Sequence, residues 1–198
     1  MSSHENNKSE TIDWLTPKYI IDAFPPFDLD PCSSQYQEHS TANTMIRLPD
    51  DGLSIKWFGR VWLNPPYGAN LINAWLRRMA SHNNGIALVF ARTETLWFHD
   101  WIWNYCSGLF FFKGRLSYIH AKAFSERSKY GANAASPSVL VAYGSECNSL
   151  LKSVKLKGKY VDMSHTPHNT ACSGLVEGSG TLPAVVNQIE MVLPAVSR

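Results

Sequence analysis

Residues 61–68 read VWLNPPYG, a short hydrophobic run that leads directly into a proline-rich turn. With Arg60 before them, the apolar side chains of residues 61–63 predict a short buried strand over 60–63. Pro65 and Pro66 have fixed φ angles and no N–H group, so the turn is stiff and its carbonyl oxygens remain available. Ligands of open α/β sheets bind beyond the carboxyl ends of the strands. The stretch therefore predicts a sheet and also the edge of that sheet where a ligand binds.

The segments that follow this turn alternate between helix and strand. Residues 70–81 place Leu71, Trp75 and Met79 on one helical face. Residues 85–90 form a continuous apolar run, which is typical of a buried parallel strand. The alternation predicts an α/β fold with a mostly parallel sheet.

The other predicted elements are shorter. They are a helix from Thr16 to Phe24 with Thr16 as N-cap, strands over 27–30, 109–112 and 138–143, and a helix over 95–106. Residues 35–56 and 114–131 are expected to be irregular, and 138–143 to be the last strand. We expect a disordered tail over 1–12, one folded domain over 13–162, and a loose or peripheral tail over 163–198.

Composition indicates an ordinary soluble protein, with 44% hydrophobic and 17% charged residues. No apolar run reaches the ~18 residues of a membrane span, and the polar N-terminus does not resemble a signal peptide. We therefore expect a cytoplasmic protein without a membrane partner. The oligomeric state is taken as monomeric.

Cysteine and histidine spacing predicts neither disulfides nor a metal site. The four cysteines, at positions 32, 106, 147 and 172, form no C-x-x-C pair, so we interpret them as free thiols. His165 and His168 flank Pro167 in the loose tail, where no formed zinc site is expected.

The net charge of +2 conceals an asymmetry along the chain. Residues 1–55 carry three Lys or Arg against nine Asp or Glu, whereas residues 56–130 carry ten against three. A basic middle segment suits a polyanionic partner such as a nucleic acid. Scattered, solvated side chains would explain the same count equally well.

The Asn-Pro-Pro-Tyr turn can hold a planar amino group. The Asn64 amide oxygen and the Pro65 carbonyl oxygen can both accept hydrogen bonds from one exocyclic –NH₂. An amino nitrogen held in this way loses conjugation with its ring, and Tyr67 could stack on the flat substrate. A proline-rich turn with an Asn cap is the structural alternative.

Several further motifs occur in the order that is found in phage-type DNA N6-adenine methyltransferases, the phage Dam family, which the chain resembles over roughly residues 13–143. They are Trp14–Pro17, Phe27–Cys32, Asp51–Leu53, Trp57, residues 61–68, residues 91–95, Trp97–His99 and Gly114–Leu116. The resemblance implies a compact Rossmann-like fold and S-adenosylmethionine as cofactor. It also suggests a phage gene and, for its product, the host cytoplasm.

The resemblance also implies roles for matching positions. The catalytic residues are Asn64, Pro65, Pro66 and Tyr67; the cofactor-binding residues are Thr16, Pro17, Asp30, Pro31, Cys32, Ser33 and Asp51. The Cys-Ser-Ser sequence after Pro31 departs from the glycine-rich cofactor loop of many methyltransferases. A helix N-cap remains an alternative for Asp30, and a plain turn residue remains one for Asp51.

Substrate contacts are expected from the segments that follow the later strands. Arg92, Arg115 and Tyr118 are predicted to contact the DNA, although a surface salt bridge would also explain Arg92. Trp97, Trp101 and Trp103 are interpreted as core residues, and Ser136-Pro137 as structural. Only 34 positions separate Asp30 from Asn64, too few for an inserted recognition domain, so short or relaxed sequence specificity is expected from residues 95–135.

These observations predict an adenine-specific DNA methyltransferase that acts on the N6 amino group of a flipped adenine. Two alternatives stay open at this point. One keeps the chemistry but uses RNA adenine or protein glutamine as the substrate. The other is a nucleic-acid-binding protein without catalytic activity.

Overall fold

The computed structural model describes residues 14–68, 71–120, 132–133 and 136–164. The expected N-terminal tail, and nearly all of the expected C-terminal tail with His165, His168 and Cys172, lie outside the described residues. Every helix within the described ranges is too short or too polar to cross a lipid bilayer.

Strands and helices alternate through most of the described chain. In order they are β1 (Trp14–Leu15), α1 (Lys18–Ile21), β2 (Leu29–Asp30), β3 (Thr44–Met45), β4 (Val61–Leu63), α2 (Leu71–His82), β5 (Gly85–Phe90), α3 (Leu96–Phe98), a π-helical turn (His99–Trp103), β6 (Gly108–Phe112), β7 (Ser117–His120), β8 (Ala132–Asn133), β9 (Ser138–Tyr143), α4 (Ser145–Ser153) and β10 (Gly158–Asp162).

Seven strands form the main sheet in the order β10-β6-β9-β5-β4-β2-β3. Strands β3, β2, β4 and β5 are parallel to one another. In contrast, β9 runs antiparallel to both β5 and β6, and β10 runs antiparallel to β6. The predicted α/β class is confirmed, but the sheet is mixed, and the expected parallel arrangement holds for one half of it.

Alternation along the central strands builds a core on each face of the sheet. Leu63, Ala87 and Val89 face one hydrophobic cluster together with residues of α2. Trp62 and Leu88 face the opposite cluster, which includes residues of α1 and α4. Because side chains alternate between the two faces of a strand, a strand covered on both sides is apolar throughout, as β5 is.

This topology collects the ends of four strands at one edge. Strands β2, β4, β5 and β6 point the same way, so the residues that follow them share that edge: Pro31, Asn64, Ala91 and Lys113. A second sheet, in the order β1-β7-β8, is formed by segments adjoining this edge, since β7 follows β6 closely.

Strong hydrophobic patterns predicted their elements well, and weak patterns did not. Strands β4, β5, β6 and β9 and helix α2 are confirmed to within a residue or two. The predicted helix over 95–106 is instead the short α3 followed by the π-helical turn. The segments expected to be irregular contain β3 and β7, and β9 is followed by α4 and β10. Strands of two residues carry no readable period, and β10 is an exposed, lysine-bearing edge strand without an apolar run.

The predicted N-cap of the first helix is also wrong. Pro17 occupies the N-cap position of α1, and no side chain caps the helix. The Thr16 hydroxyl group is turned toward Trp62 and Asn64 instead.

Candidate active site

Two hydrogen bonds fix the side-chain amide of Asn64, which directly follows β4. Its Nδ2 donates to the Trp14 carbonyl oxygen at 2.6 Å and to the Thr16 hydroxyl oxygen at 3.1 Å. A backbone carbonyl only accepts hydrogen bonds, so the nitrogen faces Trp14 and the oxygen is directed elsewhere. Within the described part of the chain, no group donates to Asn64 Oδ1. The amide therefore presents an acceptor at the carboxyl edge of the sheet.

Thr16 is buried and helps to hold the Asn64 amide in this orientation. Its hydroxyl oxygen accepts from Trp62 Nε1 at 3.2 Å as well as from Asn64. The Gln37 side chain clamps its backbone, because Oε1 accepts from the Thr16 N–H at 2.9 Å and Nε2 donates to the Thr16 carbonyl at 3.1 Å. Buried polar groups that are paired in this way hold one geometry, since breaking either bond leaves an unsatisfied group.

The turn after β2 lies against the turn after β4. Cys32 Sγ donates to the Asn64 carbonyl oxygen at 3.4 Å. The buried carboxylate of Asp30 shapes this turn, since it accepts from the Cys32 N–H at 3.1 Å and from the Thr41 hydroxyl group. The predicted cofactor loop and the predicted catalytic turn are therefore in direct contact.

A third loop closes on the same turn. Gly52 lies so near Pro31 that an added Cβ would sit 1.7 Å from the Pro31 carbonyl oxygen. The exposed Asp51 precedes it and accepts from the Leu53 N–H at 2.9 Å. Only glycine allows this approach, which brings the loop that contains Asp51 against the turn after β2.

Aromatic side chains gather at the ends of β4 and β5. Tyr67 stacks on Phe90 with a centroid distance of 4.3 Å, and its hydroxyl oxygen accepts from the Phe90 N–H at 2.8 Å. Trp14 meets Phe90 edge-on at 6.2 Å. The guanidinium carbon of Arg92, an exposed residue, lies 5.8 Å from the centroid of the Phe90 ring. Phe90 therefore connects the turn after β4 to the segment after β5.

The small sheet borders this aromatic group. Trp14 pairs with His120, so β7 runs beside the residue whose carbonyl oxygen binds Asn64. The backbone of Tyr118 lies in β7, opposite Ala132 of β8. Arg115 is exposed in the short connection between β6 and β7. The segment that follows β6, which was expected to be irregular, thus contains a strand near the carboxyl edge.

The sequence of this chain also matches a known protein family. The model of the DNA N-6-adenine-methyltransferase (Dam) family matches residues 3–163. The chain belongs to the Dam family. No curated protein and no solved structure matches it significantly.

The Dam-family protein is an adenine-specific DNA methyltransferase, as the resemblance predicted. Its match extends from the N-terminal segment to the residue after β10. The family therefore favours DNA over RNA adenine or protein glutamine as the substrate, and catalysis over binding alone.

Most predicted site residues of this Dam-family protein lie within three adjoining loops and the segment before α1. Thr16, Cys32 and Asn64 are linked by hydrogen bonds, and the neighbouring residues in the chain are Pro17, Pro31, Pro65, Pro66 and Tyr67. Ser33 is buried, and its hydroxyl oxygen has no hydrogen-bond partner among the residues that the structure describes. Its N–H donates to the Ile46 carbonyl at 2.9 Å.

Three residues of the candidate site could not be recognised from residue types and spacing. Gln37 lies in a segment expected to be irregular, and no local pattern marks it as a clamp for a residue 21 positions earlier. Trp14 acts through its carbonyl group, which every residue has. Phe90 was expected only as a strand residue, although its position directly before Ala91-Arg92 was a usable signal.

The ring of His39 touches the Gln37 clamp. His39 Nε2 lies 3.1 Å from Gln37 Nε2, which is a donor, so the neutral imidazole is the form that accepts this hydrogen bond. Partial burial lowers the pKa of His39 below its usual value, and the positive charge of Lys18 lowers the pKa further. Both effects favour the neutral ring that the clamp requires.

Proposed function

We propose that the enzyme transfers a methyl group from S-adenosylmethionine to N6 of an adenine that is flipped out of DNA. The observation that carries this proposal is the fixed amide of Asn64. Its nitrogen is committed to Trp14 and Thr16, which leaves its oxygen directed away from both as an acceptor. An adenine amino group is a planar double donor that matches such an acceptor.

Asn64 Oδ1 and the Pro65 carbonyl oxygen are proposed to accept the two N–H bonds of N6. Held in this way, the nitrogen keeps its lone pair available instead of sharing it with the ring. S-adenosylmethionine supplies a methyl group bound to a positively charged sulfur. The lone pair of N6 forms the new N–C bond, the electrons of the broken C–S bond stay with sulfur, and N6 then loses one proton to solvent. Positioning is the main contribution of the chain.

The residues around the turn after β2 fit such a cofactor. The exposed Asp51 carboxylate can accept from ribose hydroxyl or adenine amino groups. The Ser33 hydroxyl is a buried polar group that has no hydrogen-bond partner within the described ranges. We propose that the segment from Asp30 to Ser33, together with Asp51 and Pro17, holds the cofactor. The contacts of Asp30 with Cys32 and Thr41 support a role in shaping this loop, and those of Thr16 support a role in positioning Asn64.

The target base is proposed to enter beside the aromatic group of Tyr67, Phe90 and Trp14. A duplex hides N6 within the stack, so the base must be extruded to reach Asn64. We propose that Tyr67, whose ring is held by Phe90, contacts the flat base. We propose that Arg92, Arg115 and Tyr118 contact the DNA around it.

Other features of the proposal rest on the same family assignment. The parallel half of the sheet supports a Rossmann-like cofactor fold. We propose a methyltransferase domain over 13–162, short or relaxed target specificity, and a phage-encoded protein working in the cytoplasm of its host.

The test is incorporation of label from tritiated S-adenosylmethionine into unmethylated DNA, followed by identification of the nucleoside. The wild type should yield N6-methyladenine, and Asn64→Ala should lose at least about 100-fold in rate because the amino group is no longer positioned. The exposed Asn104 offers a matched control, since Asn104→Ala should retain the wild-type rate.

Binding of S-adenosylmethionine, measured by calorimetry, separates two kinds of failure. Wild-type protein that binds the cofactor but labels only RNA or protein would overturn the proposed substrate. Full activity of a folded Asn64→Ala variant would overturn the proposed role of this side chain.

A further inference from the structure

We propose that Lys113, Lys157 and Lys159, hereafter the lysine cluster, bind DNA phosphates beside the target base. Two of these residues lie outside the basic middle segment of the chain, in the loop before β10 and in β10 itself. The proposal rests on the DNA substrate and extends the binding surface beyond the residues that surround the proposed base pocket.

Strand pairing brings the three lysines together. In the antiparallel ladder of β6 and β10, Gly158 is opposite Phe112 and Lys159 is opposite Phe111. The ladder continues one step further, because the Lys113 N–H donates to the Lys157 carbonyl oxygen at 2.9 Å. Lys113 and Lys157 are therefore opposite each other, and residues 157 and 159 project from the same face of the ladder.

No acidic residue in the described part of the chain forms a salt bridge with the lysine cluster. The salt bridges among the described residues join Lys18 to Asp22 and Arg60 to Glu146. Asp162 belongs to the opposite face of β10 by alternation, and it accepts hydrogen bonds from Asn148 and from the Ser164 backbone. Like charges directly opposite on a ladder repel each other, and a bound polyanion would offset this repulsion.

The lysine cluster lies within reach of a duplex bound at Asn64. Lys113 follows β6 and Lys157 precedes β10, so both lie at the carboxyl edge. Strands β6 and β10 are three and four positions from β4, which corresponds to about 14 and 19 Å at the usual strand spacing. At about 3.4 Å per phosphate of one strand, this distance spans about four to six base pairs. The cluster can therefore contact the backbone of the duplex that carries the target.

The test is the salt dependence of DNA binding, which does not require methyl transfer. Fluorescence anisotropy with a duplex of about 30 base pairs, over about 50 to 200 mM salt, gives the slope of log K against log salt. Each of Lys157→Gln and Lys159→Gln should reduce the magnitude of this slope by about 0.9, and the double variant by about 1.8. The loss should be similar for unrelated sequences, because phosphates carry no sequence information.

Two controls keep the result specific. Lys18→Gln removes one exposed charge that is already paired with Asp22, and it should leave the slope unchanged. Lys157→Arg keeps the charge and should restore the wild-type slope. DNA binding is measured directly, so a wild-type protein without methyltransferase activity would still give a slope. A failure of the proposed reaction can therefore be distinguished from a failure of the lysine cluster to bind DNA.

Three results would overturn the proposal. The first is an unchanged slope in a double variant whose thermal melting matches the wild type. The second is an equal loss in Lys18→Gln, which would indicate net charge alone. The third is an unchanged DNA slope combined with lysine-dependent binding to vesicles of phosphatidylserine and phosphatidylcholine, which would assign the cluster to a membrane surface.

Discussion

At the scale of single residues, the Thr16 hydroxyl oxygen receives two N–H groups at once, from Trp62 and from Asn64. Thr16→Val keeps the shape of the side chain but removes this acceptor. The N–H groups of Trp62 and Asn64 would then lack this acceptor, which should lower the free energy of unfolding by about 1–3 kcal/mol. If the amide of Asn64 then rotates, the single-turnover methylation rate should fall by about 100-fold. Rapid-quench measurements below the melting temperature would determine that rate.

Thr16→Ser retains the hydroxyl group and should recover most of the rate. Thr41→Val is a matched change, because Thr41 is also buried and donates to Asp30 in the neighbouring loop. It should alter cofactor affinity more than the methylation rate at saturating cofactor. Equal rates in Thr16→Val and wild type would show that Asn64 does not depend on this hydrogen bond.

His39 leads to a prediction about acid stability. Its pKa in the folded protein is lower than the value of 6.5 expected for the unfolded chain, mainly because of burial and then because of Lys18. A depressed pKa means that the unfolded state binds the proton more readily, so stability is constant above about pH 6.5 and falls as the pH drops through the folded value. His39→Gln should show a smaller fall in melting temperature over that range. Superimposable acid profiles for the two proteins would contradict this.

The residues that carry recognisable chemistry were predictable, and those that support them were not. Asn64 and Tyr67 stand in a distinctive tetrapeptide after an apolar strand, so the sequence located them. Gln37 and Trp14 act on partners 21 and 50 positions away. Such pairs depend on how distant segments meet, and no local pattern in the sequence encodes this.

At the scale of elements, loops that follow neighbouring strands hold one another in place. Gly52 is the tightest contact, because a methyl group there would overlap the Pro31 carbonyl oxygen. Gly52→Ala should therefore displace the turn after β2 and weaken S-adenosylmethionine binding by at least about 10-fold, or about 1.4 kcal/mol. Calorimetric titration would measure the change.

Thermal melting of the same variant distinguishes a local shift from general unfolding. Gly52 lies in a loop outside the seven-stranded sheet, so the variant should still melt cooperatively. Unaltered cofactor affinity in Gly52→Ala would show that this turn does not form the cofactor site.

Periodicity explains which elements were predictable. Buried on both faces, β5 is apolar at every position and β9 is apolar after its first residue, Ser138, whereas α2 has one apolar face, so each has a clear signal. Strand β10 is mostly exposed and contains Lys159, and its pairing with β6 is a tertiary property. The aromatic segment after Thr95 is rich in tryptophan, and its shift from α-helical to π-helical turns was not visible in residue types.

At the scale of the whole molecule, the sheet combines a parallel half and an antiparallel half. The parallel half, β3-β2-β4-β5, arises from strand–helix and strand–loop crossovers that the alternating pattern predicts. The antiparallel half is made by β9, β6 and β10, whose order depends on β9 inserting between β5 and β6. A strand's direction follows from the path of its connections, so composition predicted the class of the fold but not this insertion.

The hydrogen bond from Asn64 to the Trp14 carbonyl oxygen has a consequence for how mutational data on this enzyme should be interpreted. Every amino acid supplies that oxygen, so a saturation library at position 14 would report tolerance wherever the packing against Phe90 survives. A chain shortened past residue 15 would lose the oxygen altogether. Position 14 would then tolerate many side chains and still be required, because its contribution to the site comes from the main chain.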